Sequence, residues 1–141
     1  MKDILDLTED WKDPTPTIIV SHTGLKSVCN HTRNISEEIA KRIAKRGGII
    51  GIAFFKFMTC GYGFPSVVKT MQYMKNVLGI DAVALGSDWD GTIKAFGASN
   101  ELVYLTDALI SGGFTQEEIE KIMGGNVLRV LRNALPENKL Y

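Results

Sequence analysis

Three short apolar runs, each followed by a helical pattern, predict an α/β fold with a parallel sheet. The runs are residues 17–20 (Thr-Ile-Ile-Val), 49–55 (Ile-Ile-Gly-Ile-Ala-Phe-Phe) and 82–85 (Ala-Val-Ala-Leu). None alternates apolar with polar residues, so each strand is expected to be covered on both faces. That leaves a doubly wound sheet or part of a (β/α)8 barrel, and a full barrel takes roughly 250 residues against the 141 here.

The elements follow in order. Residues 1–9 read as the tail of a helix, with Ile4, Leu5 and Thr8 on one face and no cap before it. That abrupt start suggests a chain beginning partway through an element. Residues 13–16 (Asp-Pro-Thr-Pro) form a loop, because proline restricts the residue before it and cannot continue a helix. The first strand is expected to end at Ser21-His22, and a polar loop then runs to Asn34. Ser36 caps the next helix, whose buried face carries Ile39, Ile43 and Ala44 and whose stop is Gly47-Gly48. After the second strand, Pro65 and Ser66 open a helix with Val67, Met71, Met74 and Leu78 on one face, ended by Gly79. The two methionines read as core. The remainder is helical over 100–111, 115–123 and 126–134, with Thr115 to Glu118 forming a capping box.

The hydrophobic share is 45% and the charged share 23%, with a net charge of zero. That is the profile of a folded globular domain. A balanced charge points to neither nucleic acid nor an anionic membrane as partner. No run approaches the roughly 20 apolar residues of a membrane helix, and the N-terminal residues are unlike a signal peptide. Cys29 and Cys60 make neither a CxxC site nor a disulfide framework, and both are expected to be reduced, in a cytoplasmic protein.

In parallel α/β folds, functional groups gather at the C-terminal ends of the strands. His22 ends the first strand and Asp88 follows the third. A polar group placed directly after a buried strand is costly unless it is used or satisfied. An imidazole and a carboxylate suit a zinc-type ion, and the carboxylate can also accept a proton. Arg33, on the loop after the first strand, offers a planar fork for a carboxylate. His31, on the same loop, reads as a hydrogen-bonding loop residue and Asp90 as a turn residue. Gly61-Tyr62-Gly63 is too short for a phosphate loop.

Four segments in order resemble one known family. Residues 16–22 (Pro-Thr-Ile-Ile-Val-Ser-His), 29–34 (Cys-Asn-His-Thr-Arg-Asn), 86–91 (Gly-Ser-Asp-Trp-Asp-Gly) and 124–130 (Gly-Gly-Asn-Val-Leu-Arg-Val) are similar to motifs of the membrane (renal) dipeptidases. The likeness runs from about Asp3 to Leu131. It implies that residues 1–141 are a single partial domain: the C-terminal three βα units, strands six to eight, of a (β/α)8 barrel whose intact site holds two Zn2+ ions and hydrolyses dipeptides. By position, His22 is implied as a zinc ligand and Arg33 as the binder of the dipeptide's terminal carboxylate. Asp88 is implied as proton acceptor or substrate contact. Trp89 stands where the family usually has Phe, and Thr70 and Tyr73 where some members carry His. The other metal ligands of the family would lie before Met1. The chain is therefore expected to be inactive alone, and to act with an N-terminal half-barrel or as a homo-oligomer. The alternative is a non-catalytic remnant, and a weaker one is another binuclear metallohydrolase of the same barrel class.

Overall fold

A computed structural model describes residues 2–8, 10–11, 16–90 and 94–135. The expected loop at 13–15 and the Gly91 that closes the third motif lie outside the described residues.

Three parallel strands, β1 (Ile19–Thr23), β2 (Ile49–Ile52) and β3 (Val83–Leu85), form one sheet in the order β1-β2-β3. Helix α1 (Lys2–Leu7) precedes it, and α2 (Glu37–Lys45) connects β1 to β2. A short α3 (Lys56–Thr59) and the long α4 (Gly63–Leu78) connect β2 to β3. After β3 come α5 (Leu102–Ser111), α6 (Gln116–Glu120) and α7 (Asn126–Ala134). The expected helix start at Asn100 is instead a 3-10 turn over Ser99–Glu101.

Side chains on a strand alternate between its faces, and that divides the core. Val20, Ile50, Ile52 and Val83 face the helical layer and pack with Ile43 of α2, Val67, Met71 and Met74 of α4, and Leu105 and Leu109 of α5. Each large side chain buried there contributes about 1.5–3 kcal/mol. The two methionines are fully buried, as their spacing predicted. On the other face, Ile49 and Ala84 pack with Val127 and Val130 of α7. That cover is partial. Ile19 is 48% exposed although it lies in a strand. Among the described residues β1 pairs only with β2, so its outer edge is open.

The caps behave as expected. Ser36 accepts from the Ile39 N–H, and Thr115 and Glu118 form both halves of the capping box. The last two helices are parted at the glycine pair, as expected: Gly124 has non-helical backbone (φ 162°, ψ −22°) and makes a kink between the turn that follows α6 and the start of α7. Asn126, 2% exposed, donates to the carbonyls of Ile80 (2.8 Å) and Val83 (2.9 Å). The Gly-Gly-Asn segment thus bolts α7 to the base of β3, which is a structural duty.

Glu37 opens α2 and accepts from Lys41 (2.6 Å), the Tyr73 hydroxyl (2.7 Å) and Ser27 (3.1 Å). The Lys41 bond first, then those from Tyr73 and Ser27, hold its carboxyl down at about 2 against an ordinary 4.5. The folded state therefore binds this proton less readily than the unfolded chain does. The contribution is complete above pH 4.5 and is lost as pH falls towards 2. Urea midpoints for wild type and Glu37→Gln are expected to differ at pH 7 and to converge towards pH 3. A gap that widens on acidification would contradict this.

Candidate functional site

β1 runs one residue further than expected, to Thr23, and it is irregular. Val20 pairs with Ile50 and Thr23 with Ile52, so three steps on β1 match two on β2. The extra residue is a bulge at Ser21-His22, a device often used to re-aim a side chain. There the Ser21 hydroxyl lies 2.9 Å from His22 Nδ1. His22 Nε2 lies 3.8 Å from Asp88 Oδ2, with the two side chains 37% and 22% exposed. Histidine and carboxylate therefore meet across the sheet, although 66 positions apart.

Asp88 has φ 59°, in the left-handed region that Asp tolerates better than most residues. Its loop is tied down from both sides. Trp89 donates its indole N–H to the Phe96 carbonyl at 3.0 Å and sets its ring edge-to-face with Phe54 at 5.5 Å. Phe96 N–H donates to the Phe54 carbonyl at 2.7 Å, and Phe54 N–H to the Ser87 carbonyl at 3.3 Å. The substitution of Trp for Phe in this motif thus adds a donor that closes the loop. Its acceptor is a backbone carbonyl that no motif marks.

Arg33 is exposed on the loop after β1, and no hydrogen bond or ion pair joins its guanidinium to His22 or Asp88 among the described residues. Its backbone is fixed. Thr23 Oγ1 donates to the Arg33 carbonyl (3.0 Å), and Arg33 N–H donates to His31 Nδ1 (3.3 Å). His31 is a loop hydrogen-bonder, as expected, and its ring also lies 5.1 Å from that of Phe57. Asn34, buried at the loop's end, donates to the carbonyls of Cys29 and Met58.

The reading of both cysteines as reduced is overturned. Cys29 and Cys60 form a disulfide between the loop after β1 and the end of α3. The two segments follow neighbouring parallel strands, so they lie at the same end of the sheet. Their separation of 31 residues hid this. The bond also removes the ground on which a cytoplasmic location was expected, since disulfides are rare in reducing compartments. No helix of the described residues is long and apolar enough to cross a membrane.

A cleft of about 390 Å3 lies beside the disulfide, lined by Ser27, Cys60, Ser66, Lys69 and Tyr73 among others. None of His22, Arg33 or Asp88 lines it. Among the described residues, no three His, Cys, Asp or Glu side chains gather where a metal ion could be held. A zinc site takes about four ligands, three or more from protein. His22 and Asp88 have suitable donor atoms, but they do not fit the group by themselves.

Residues 1–139 match the membrane dipeptidase family, peptidase family M19. The chain belongs to that family. It is 31% identical over 122 residues to dipeptidase tcpJ of Claviceps purpurea, covering 82% of this chain and 29% of the relative. It is 29% identical over 128 residues to an uncharacterized protein of Klebsiella pneumoniae in the pqqA 5' region, covering 84% and 47%. Among solved structures it resembles a metallo peptidase from Rhodobacter sphaeroides, liganded with a phosphinate mimic of the dipeptide L-Ala-D-Ala. The TM-score is 0.80 at 22% identity, over 95% of this chain and 39% of that one. It also resembles an amidohydrolase from Pseudomonas aeruginosa, with TM-score 0.76 at 23% identity, over 89% and 48%. The chain spans less than half the length of each of these relatives and structural neighbours. Its open three-stranded sheet is consistent with an incomplete (β/α) barrel. The chain thus joins a metallo-dipeptidase ancestry to the lack, among its described residues, of a complete metal-binding cluster.

Proposed function

We propose that this chain is the part of a dipeptidase barrel comprising strands six to eight, that it forms one side of a dipeptide-hydrolysing site, and that it has no peptidase activity of its own. The observation that carries this reading is the approach of His22 to Asp88 across the sheet, with no third metal-ligating group beside them among the described residues. In this reading His22 would supply one imidazole nitrogen to one ion of a zinc site whose other ligands would come from elsewhere. Asp88 faces the substrate and accepts a proton, and the exposed Arg33 binds the dipeptide's terminal carboxylate in bidentate fashion. The open edge of β1 and the half-covered sheet face suit a further half-barrel supplied by another chain or segment, or a second copy of this chain.

Purified homogeneous chain with added zinc is expected to hydrolyse L-Ala-D-Ala no faster than buffer does. Measurable turnover would overturn the reading. Mixing or co-expression with the N-terminal half of a family member is expected to give turnover, and Asp88→Asn is expected to reduce it at least about a hundredfold, the lower range for a lost acid–base group. An inert complex with a properly formed interface would favour the second reading, a partner-binding remnant without catalysis. The lack of a metal-binding cluster among the described residues favours that second reading for the chain alone.

A further inference from the structure

The geometry points to Gly51 and Gly86 as positioning residues for the His22–Asp88 pair, forming a side-chain-free floor across which the Ser21–His22 bulge is laid. The inference rests on the proposed reading of His22 and Asp88 as partners in one site.

The space decides it. A Cβ on Gly51 would sit 2.2 Å from the Ser21 carbonyl oxygen and 3.1 Å from Gly86 Cα. A Cβ on Gly86 would sit 2.1 Å from the same oxygen and 2.9 Å from the Gly51 carbonyl carbon. Backbone atoms cannot give way as a flexible side chain can. Neither glycine has a positive φ, so it is the approach of another backbone, and not an unusual conformation, that calls for glycine. Ser21 belongs to β1 and Gly86 follows β3, two strands that do not pair. The Ser21 peptide must therefore lean over β2 to reach that point.

The lean has a consequence for His22. In a regular strand, residues two apart share a face. His22 would then follow Val20 into the apolar helical side, where an imidazole has no partner. The inserted residue breaks that alternation. It brings the ring out towards the loop after β3, and Asp88 lies two residues beyond Gly86. The floor is thus made by one residue of β2 and the residue that directly follows β3.

Nuclear Overhauser spectra of the chain test this. The wild type is expected to show contacts between the protons of Ser21 and Gly86, and between the His22 ring and the Asp88 β-protons. Gly51→Ala is expected to abolish the His22–Asp88 contact while the core methyl signals of α4 and α5 persist. Gly48→Ala is the control. Its Cβ would meet the Ile18 carbonyl oxygen at 2.3 Å, at the opposite end of β2. It should lower the melting temperature and leave the His22–Asp88 contact in place. A folded Gly51→Ala chain that keeps the contact overturns the proposal, as does a Gly48→Ala chain that loses it. If Gly51→Ala does not fold, the wild-type Ser21–Gly86 contact decides, and its absence overturns the proposal. These readings are independent of turnover: an inert reconstituted enzyme with every contact present would sink the catalytic reading alone.

Discussion

Phe54→Ala is expected to destabilise the chain by about 3–5 kcal/mol, the cost of removing a fully enclosed aromatic ring and leaving a cavity. Phe54 is 0% exposed. Its ring sits edge-to-face against Phe64 at 5.8 Å and Trp89 at 5.5 Å. Its two backbone groups hold the loop after β3, one bonding Ser87 and the other Phe96. The loss should therefore be both global and local. Thermal unfolding should shift down by the order of 10 °C for a chain of this length. Phe54→Leu, which keeps most of the volume, should lose much less. A shift of only a degree or two in Phe54→Ala would mean that the three rings do not pack as described. The local effect is read at Trp89, whose fluorescence should move towards that of a solvated indole as its ring loses a wall.

Much of this architecture was legible because the chain announces it locally. The apolar runs at 49–55 and 82–85 hold the strands Ile49–Ile52 and Val83–Leu85, the first stopping three residues short of its run, while Ser36 and Thr115 became caps and Met71 and Met74 went into the core. These features depend on residues within a few positions of one another. The family was also legible, because four motifs stand in a fixed order. The site was legible only in part. His22 and Asp88 could be named from their places at strand ends, but their approach depends on a bulge, and no residue type encodes a bulge by itself. Its trace is a glycine within β2 and another just after β3, which carry no meaning until the crossing backbone is seen. Arg33 could be named from its loop, yet nothing within the described residues draws its guanidinium to the pair. Trp89, Asn34 and Asn126 act on backbone carbonyls far away in sequence, and periodicity carries no information about such acceptors. The short α3 was missed for a related reason: its four residues are too few to show a period.

The disulfide was invisible for the same reason as the bulge, and its removal is the second large effect expected. Cys29→Ala with Cys60→Ala releases a loop of 31 residues in the unfolded chain. The chain-entropy relation gives roughly 3–4 kcal/mol for that length. Other ties bound the consequence. Asn34 still clamps the loop through the Cys29 and Met58 carbonyls, and the Lys26 N–H still donates to the Ile35 carbonyl at 2.9 Å. The native loop should therefore keep its course while the unfolded state gains freedom. The double variant should melt lower by about 10 °C with little change in the amide spectrum of residues 24–35. Dithiothreitol should lower the wild-type melting temperature to the same value and leave the variant's unchanged. Equal melting temperatures for reduced and oxidised wild type would mean that the two cysteines are not joined in the folded protein, and the expectation of free thiols would be restored. A loop spectrum that collapses on reduction would instead make the disulfide a direct support of Arg33, since that residue's backbone is carried by the same loop.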